Sequence, residues 1–256
     1  MQPSLPQTLL RLPIAHRALH DRADGRIENS PAAIRAAVAA GYAIEIDVQL
    51  SADGHAMVFH DETLDRLTDQ TGRVSSRTAT DLGNIRLSGG PDTIPTLDQV
   101  LKMVAGRVPL LVEIKDQTDL MAETDGRLEA ATAAALSGYR GDAAVMSFNP
   151  HSIAHMARLA PDLPRGLTTS AFDPADWAPL PADICDRLRD IPDFDRVGAC
   201  FISHQGDDLA RPRVLDLRAA GVPILCWTIR SAEQERLVRK IAANVTFEGY
   251  FSPIPA

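Results

Sequence analysis

The sequence is short of several things, and each shortage removes a class of protein. It has three cysteines, Cys185, Cys200 and Cys226, none of them in a C-x-x-C pair. That excludes a zinc knuckle or a disulfide framework and leaves small buried apolar residues in a reducing compartment. It has no basic excess: 26 Lys and Arg stand against 34 Asp and Glu, a net charge of −8. A partner read through its phosphate backbone needs a basic face, so no nucleic acid partner is expected. A small anionic substrate held by a few local cations is still compatible. No apolar run approaches the roughly 18 residues of a membrane helix, so no stable membrane insertion is expected. The opening MQPSLPQTLLRLPIAHR has no basic leader before an apolar stretch and is broken by Pro3, Pro6 and Pro13. The expectation is therefore a cytoplasmic protein without a signal peptide. No G-x-G-x-x-G or G-x-x-x-x-G-K-[ST] loop occurs, which weakens nucleotide-binding readings. Oligomeric state is open, and a homo-oligomer is compatible.

What is present is alternation. Short runs rich in Ile, Val and Leu recur at Leu12–Ala15, Ala43–Val48, Ala56–Phe59, Pro109–Ile114, Ala143–Phe148, Leu163–Leu167, Ala199–Ile202, Pro223–Trp227 and Val245–Phe247. Their length and composition suit strands buried on both faces. Helical signals lie between them. Ser30-Pro31 before AAIRAAVAAG reads as a cap, a first-turn proline and a closing glycine. Thr96 to Gln99 has capping-box spacing before a segment that closes at Gly106. Helices are also expected over Ala122–Ser137, from Asn149-Pro150 to Ala160, and over Leu209–Ala220 and Ser231–Ala242. Strand and helix in alternation mean parallel strands with crossover helices. About eight such units in a chain of this length predict an α/β (β/α)8 TIM barrel as a single domain over residues 1–256, with an open doubly wound sheet as the alternative. Two polar stretches, 61–95 and 168–198, break the alternation and read as loop elaborations, where a barrel keeps its chemistry.

The strand ends carry that chemistry. Leu12–Ala15 ends in His16-Arg17, Ala43–Val48 contains Glu45 and Asp47, Ala56–Phe59 ends in His60-Asp61, and Pro109–Ile114 contains Glu113 before Lys115. Charged groups in apolar strands are costly unless paired or bound to a cation. Side chains alternate faces along a strand, so Glu45 and Asp47 share one face, as do Glu113 and Lys115. If that face is the barrel interior, three carboxylates meet at its mouth. Three hard oxygen donors without cysteine fit Mg²⁺ or Ca²⁺. His16 and His60 on the same rim are suited to acid and base roles, and Arg17 and Lys115 to a phosphate. Together these make a plausible machine for cleaving a phosphodiester. A divalent-metal enolising barrel is the rival reading and predicts a Lys or His base on a late strand.

His16-Arg17, Glu28-Asn29-Ser30, Glu45-Ile46-Asp47-Val48, Asp53-Gly54, His60-Asp61, Ile94-Pro95-Thr96-Leu97 and Glu113-Ile114-Lys115 occur in this order. The pattern resembles the glycerophosphodiester phosphodiesterases, tightly in the first half of the chain and more loosely after it. The resemblance implies a TIM barrel that hydrolyses glycerophosphodiesters to glycerol 3-phosphate and an alcohol. It implies one divalent cation, Mg²⁺ or Ca²⁺, on Glu45, Asp47 and Glu113, a catalytic pair in His16 and His60, and phosphate contacts from Arg17 and Lys115. Glu28 and Asn29 match a supporting pair, with Glu28 available to the metal, and Phe148 and Trp227 match apolar positions of the substrate pocket. The stretch of about 61–95 corresponds to a small inserted subdomain after the second strand. A lysophospholipase D-like or other phosphodiesterase activity on the same barrel is the alternative. The sequence departs from the family in three places. Ala18 stands where a glycine is usual, the loop Leu19–Ile27 is long enough to narrow the pocket, and the last strand ends at Glu248 without the common aspartates.

Overall fold

The computed structural model describes residues 3–255. Its strands are β1 (Ile14–Ala15), β2 (Ala43–Leu50), β3 (Ala56–Val58), β4 (Leu110–Ile114), β5 (Ala143–Ser147), β6 (Arg165–Thr169), β7 (Phe201–Gln205), β8 (Ile224–Ile229) and β9 (Asn244–Phe247). All but β3 pair in parallel, and β1 closes the sheet by pairing with both β2 and β9. The result is the (β/α)8 barrel. The helices are α1 (Gln7–Arg11), α2 (Pro31–Ala40), α3 (Ala79–Gly83), α4 (Leu97–Val104), α5 (Arg127–Leu136), α6 (Pro150–Leu159), α7 (Ala182–Arg189), α8 (Pro212–Ala219) and α9 (Ala232–Val238).

The local signals act as elementary chemistry says they should. Ser30 caps α2 by accepting from the Ala33 N–H, and Gly41 ends it at φ +79°, in the left-handed region. Thr96 and Gln99 form a reciprocal capping box on α4. Along the strands the side chains alternate. Ile14, Ala43, Leu111, Ala144, Met146, Phe201 and Leu225 form one cluster inside the barrel, joined by Leu5 and Leu9 from the N-terminal segment. Ile44, Val112, Val145, Ile202 and Ile224 pack outward against the helices. On β6 the interior position is Gly166, where a Cβ would lie 2.5 Å from the Phe201 ring, so the small residue makes room for the large one.

The structure corrects the sequence reading in three places. The run Ala56–Phe59 supplies β3, which is not a barrel strand. It folds back antiparallel on the end of β2 with Val48 opposite Val58, because a five-residue connection is too short for a crossover helix. The helix expected from Ala122 begins only at Arg127, after Gly126 at φ +76°. Helices α3 and α7 form in the two stretches that read as loops, and α1, which the sequence reading did not expect, fits in five residues between Pro6 and Pro13. Residues 61–95 contain α3 and contribute Leu64, Leu67, Val74, Leu82, Ile85, Leu87 and Ile94 to a small apolar cluster of their own, which Met57 and Phe59 anchor to β3.

Candidate active site

Alternation puts Glu45 and Asp47 on the interior face of β2, and Asp47 is in register with Glu113 on β4. All three are buried. They offer carboxylate oxygens that lie within 4.8 Å of one another. Burial and the like charges of Asp47 and Glu113 hold the Glu45 carboxyl well above its ordinary range. Burial acts the same way on Asp47, but His60, Lys115 and Arg17 outweigh it and keep that carboxyl ionised far below the usual range. Asn29, at φ +59°, donates from Nδ2 to Asp47 Oδ2 at 2.9 Å and accepts from the Asp47 N–H. The Arg17 N–H donates to Glu45 Oε2 at 2.7 Å.

Lys115 occupies the space between the acids. Its Nζ lies 2.8 Å from Glu113 Oε1, 3.5 Å from Asp47 Oδ1 and 3.2 Å from His60 Nε2. Burial opposes its charge, but Glu113 and Asp47 raise its pKa above the usual lysine range. Arg17 binds Glu28 Oε1 through Nη1 at 2.7 Å, while its Nε is buried without a hydrogen-bond partner. Glu28 also receives Arg66 at 2.7 and 2.8 Å. It thus holds two guanidinium groups and stands outside the carboxylate cluster found among the described residues.

Each site histidine leans on a carboxylate. His16 Nδ1 lies 2.6 Å from Glu248 Oε2, and His60 Nδ1 lies 2.6 Å from Asp61 Oδ1. A carboxylate at Nδ1 keeps the proton there and leaves Nε2 for the site. Burial lowers the His16 pKa below its ordinary value, against the raising effect of Glu248. Glu248 is itself held far below the carboxylate range by the hydrogen bond from His16 and by the nearby His20, whose Nε2 lies 3.4 Å away, and it also binds Arg230 at 2.8 Å. Sequence reading noted Glu248 only as a departure. The signal was the ionisable end of the last strand, which barrel closure brings beside the end of the first.

A cavity of about 600 Å³ opens from His60, Glu113 and Lys115 toward Phe148 and Trp227. Phe148 stands between Trp227 and Trp177, with ring centroids 5.5 and 4.9 Å away and nearly crossed planes. Trp177 and Phe172 come from the loop after β6 and were not singled out in the sequence. The loop Leu19–Ile27 does not line this cavity; its Gly25 packs on Gly89 and Gly90 of the 61–95 stretch instead.

An interior carboxylate cluster, two histidine–carboxylate pairs and two fixed cations at the C-terminal mouth of a (β/α)8 barrel define an enzyme of the phosphodiester hydrolase class. Residues 16–246 match the glycerophosphoryl diester phosphodiesterase family, and the chain belongs to it. The chain is 33% identical to a glycerophosphodiester phosphodiesterase of Caldanaerobacter subterraneus over 152 residues, 55% of this chain and 60% of that protein. It is 32% identical to YhdW of Bacillus subtilis over 227 residues, 85% of this chain and 86% of that one. Among solved structures, an Oleispira antarctica phosphodiesterase in complex with the product sn-glycerol-3-phosphate has the same fold, with TM-score 0.75 at 24% identity over 93% of both chains.

Proposed function

We propose that the protein hydrolyses glycerophosphodiesters to glycerol 3-phosphate and an alcohol, by proton transfer through His16 and His60 beside a divalent cation. The observation that carries the reading is the convergence of Glu45, Asp47 and Glu113 with Arg17, Lys115 and both histidines at one end of the barrel, where His60, Glu113 and Lys115 open onto the cavity. The relatives' names and the product held by the Oleispira neighbour support it.

The donor set fits the cation. Three buried oxygen donors with one carboxyl forced above its ordinary range are an anionic site short of positive charge, and they suit Mg²⁺ or Ca²⁺. Bound by Glu45, Asp47 and Glu113, the ion would supply Lewis-acid stabilisation of the phosphoryl oxygens. Arg17 Nε, buried without a hydrogen-bond partner and 3.7 Å from Asp47 Oδ2, is offered to a phosphate oxygen, with Glu28 fixing the guanidinium in place. Lys115 is the second cation for the same group. His16, whose pKa burial lowers, takes at Nε2 the proton of the water that attacks the phosphorus as the bond to the leaving alcohol oxygen breaks, and Glu248 stabilises the resulting imidazolium. His60, backed by Asp61, delivers a proton to the leaving alcohol oxygen. We read the chain as one catalytic domain in which the stretch 61–95 supplies Asp61 and Arg66 to the site, and we place it in the reducing, cytoplasmic setting expected of its free cysteines. The enolising alternative is not favoured: the late strands bring Trp227, a Glu248 already engaged by His16, and His204, which alternation turns to the face opposite the interior Phe201 and which bonds Thr169 and Asp208.

The test is release of glycerol 3-phosphate from glycerophosphocholine and glycerophosphoethanolamine with Mg²⁺, with Ca²⁺ and with EDTA. Full activity is expected with at least one ion and none with EDTA. His16→Ala and His60→Ala should each lose about 10³-fold in kcat, within the range for a general acid or base. Activity that survives EDTA removes the cation from the mechanism. No release from any ester under any condition removes the reaction.

A further inference from the structure

The barrel mouth gathers a second set of metal-ligating side chains besides the three carboxylates. Glu248 Oε2 lies 2.6 Å from His16 Nδ1 and 3.4 Å from His20 Nε2, and the three ligand atoms all lie within 4.8 Å of one another. His16 and Glu248 serve the reaction; His20 has no part in it. Its Nε2 is nevertheless buried and makes no hydrogen bond. The backbone brings it there. Arg17 and Ala18 are left-handed, at φ +50° and +65°. The Ala18 N–H donates to the Glu45 carbonyl at 3.0 Å, and the His20 N–H donates to the Ala18 carbonyl at 2.9 Å. The chain after β1 thus doubles back and returns a second imidazole to the carboxylate that the first one uses. Arg230 takes the other oxygen, Oε1, at 2.8 Å and leaves Oε2 to the two rings.

We propose that His16 Nδ1, His20 Nε2 and Glu248 Oε2 form a second metal site, for Zn²⁺ or a transition ion of its class, and that an ion bound there switches the enzyme off. Ligand type separates it from the first site. Glu45, Asp47 and Glu113 offer only oxygen and suit Mg²⁺ or Ca²⁺, whereas two imidazole nitrogens with one carboxylate suit zinc. The dimensions fit. Ligands about 2.0–2.1 Å from a tetrahedral zinc stand about 3.3 Å apart. The His20–Glu248 separation already has that value, and the His16–Glu248 contact, now closed by a proton, has to open by only about 0.7 Å to reach it. The three side chains are 15%, 24% and 19% exposed, so an ion reaches them from solvent. The inhibition follows from the tautomer. Neutral His16 carries its one ring proton at Nδ1, facing Glu248. Zinc takes that nitrogen's lone pair, the proton moves through solvent to Nε2, and the ring then has no lone pair for the proton of the attacking water. The inhibition rests on the phosphodiesterase reading; the binding does not.

The test uses the whole chain with Mg²⁺ in excess, titrated with Zn²⁺ against a chromogenic zinc indicator. The wild type should bind one Zn²⁺ more than His20→Gln, and one more than Glu248→Gln. Co²⁺ as a second probe should give the wild type the intense visible absorption of a four-coordinate nitrogen–oxygen site, and both variants should lose it. Turnover of glycerophosphocholine is then followed as Zn²⁺ is added, each protein being read against its own zinc-free rate. The wild type should be inhibited at the midpoint that the indicator reports. His20→Gln should need over about 100-fold more zinc, beyond the 10–100-fold cost of an outer partner. Absence of the Co²⁺ bands in the wild type overturns the site without recourse to a variant, and so does equal zinc stoichiometry in wild type and His20→Gln. An additional Zn²⁺ that leaves turnover unchanged overturns the switch. Failure to turn over any ester overturns the phosphodiesterase reading alone, since the indicator and Co²⁺ readings still decide the site.

Discussion

On the side of β1, β2, β4 and β9 the barrel mouth presents carboxylates, imidazoles and two fixed cations; on the side of β5, β6 and β8 it presents rings. The two sides are held by different forces. Every group on the charged side is pinned by a charge-assisted hydrogen bond, and several positions there adopt left-handed backbone, with Arg17 at φ +50°, Ala18 at +65° and Asn29 at +59°. The aromatic side is fixed by packing and by backbone carbonyls. The lesson is a division of labour: changes on the charged side should remove the reaction, and changes on the aromatic side should alter which ester is used.

The largest effect is expected at Glu45. Its raised carboxyl makes the metal-free protein lose stability as pH rises. A folded pKa above the unfolded one gives stability that is complete below about pH 4 and lost as pH climbs through the folded value. Glu45→Gln removes that loss, so the metal-free variant should melt higher than the wild type at pH 8 and alike at pH 4. Metal binding should weaken by more than the roughly 10–100-fold typical of losing an outer partner. Melting scans with and without Mg²⁺ or Ca²⁺ read both effects. A variant that is less stable at pH 8 would mean that the three carboxylates do not strain the empty cluster.

Glu248→Gln comes next. The amide can still accept from His16 Nδ1 but no longer stabilises the imidazolium. The expected loss in kcat is on the order of 10²-fold, less than the ~10⁴ known for a buried triad aspartate changed to its amide. Because the carboxylate raises the His16 pKa, its removal lowers that pKa further, and the acid limb of the kcat/KM profile should move to lower pH. A loss of activity with an unmoved acid limb would make Glu248 a packing residue only.

On the aromatic side, Phe148→Ala should cost about tenfold in kcat/KM, through KM, and about 2 kcal/mol of stability, below the 3–5 kcal/mol of a fully buried ring. Chemical denaturation and steady-state kinetics separate the two. A fall confined to kcat would place Phe148 with the charged side and erase the division.

This division also explains what was legible in the sequence. His16, Arg17, Glu45, Asp47, His60, Glu113 and Lys115 sit in or at the end of short apolar runs, where a charge is anomalous by itself, and period-two alternation puts the strand residues on one face. The His60–Asp61 pair is adjacent in sequence. The His16–Glu248 pair spans nearly the whole chain and exists only because β1 closes on β9. The aromatic side was half legible. Phe148 follows β5 directly and Trp227 lies in β8, both in apolar runs legible in the sequence, whereas Trp177 arrives from an irregular loop whose path no periodicity encodes. The antiparallel β3 was misread because burial, which the run does have, does not reveal strand direction.

The smallest effect is expected at Ala18, and it tests what the left-handed backbone of the charged side costs. At φ +65° an alanine is roughly 1 kcal/mol worse than glycine. Against that, its methyl is buried, a contribution of about 0.8 kcal/mol. Glycine also loosens the unfolded chain by a further 0.4–1 kcal/mol or so. The terms nearly cancel, so Ala18→Gly should change stability by less than about 1 kcal/mol and Tm by less than about 4 °C. The bond from the Ala18 N–H to the Glu45 carbonyl, 3.0 Å, needs no side chain, so kcat should stay within about twofold, well inside the 1.4 kcal/mol that a tenfold change represents. A substantially higher Tm in the glycine variant would show that the turn after His16 stores more strain than its burial offsets, and that the charged side is held in place against its own backbone.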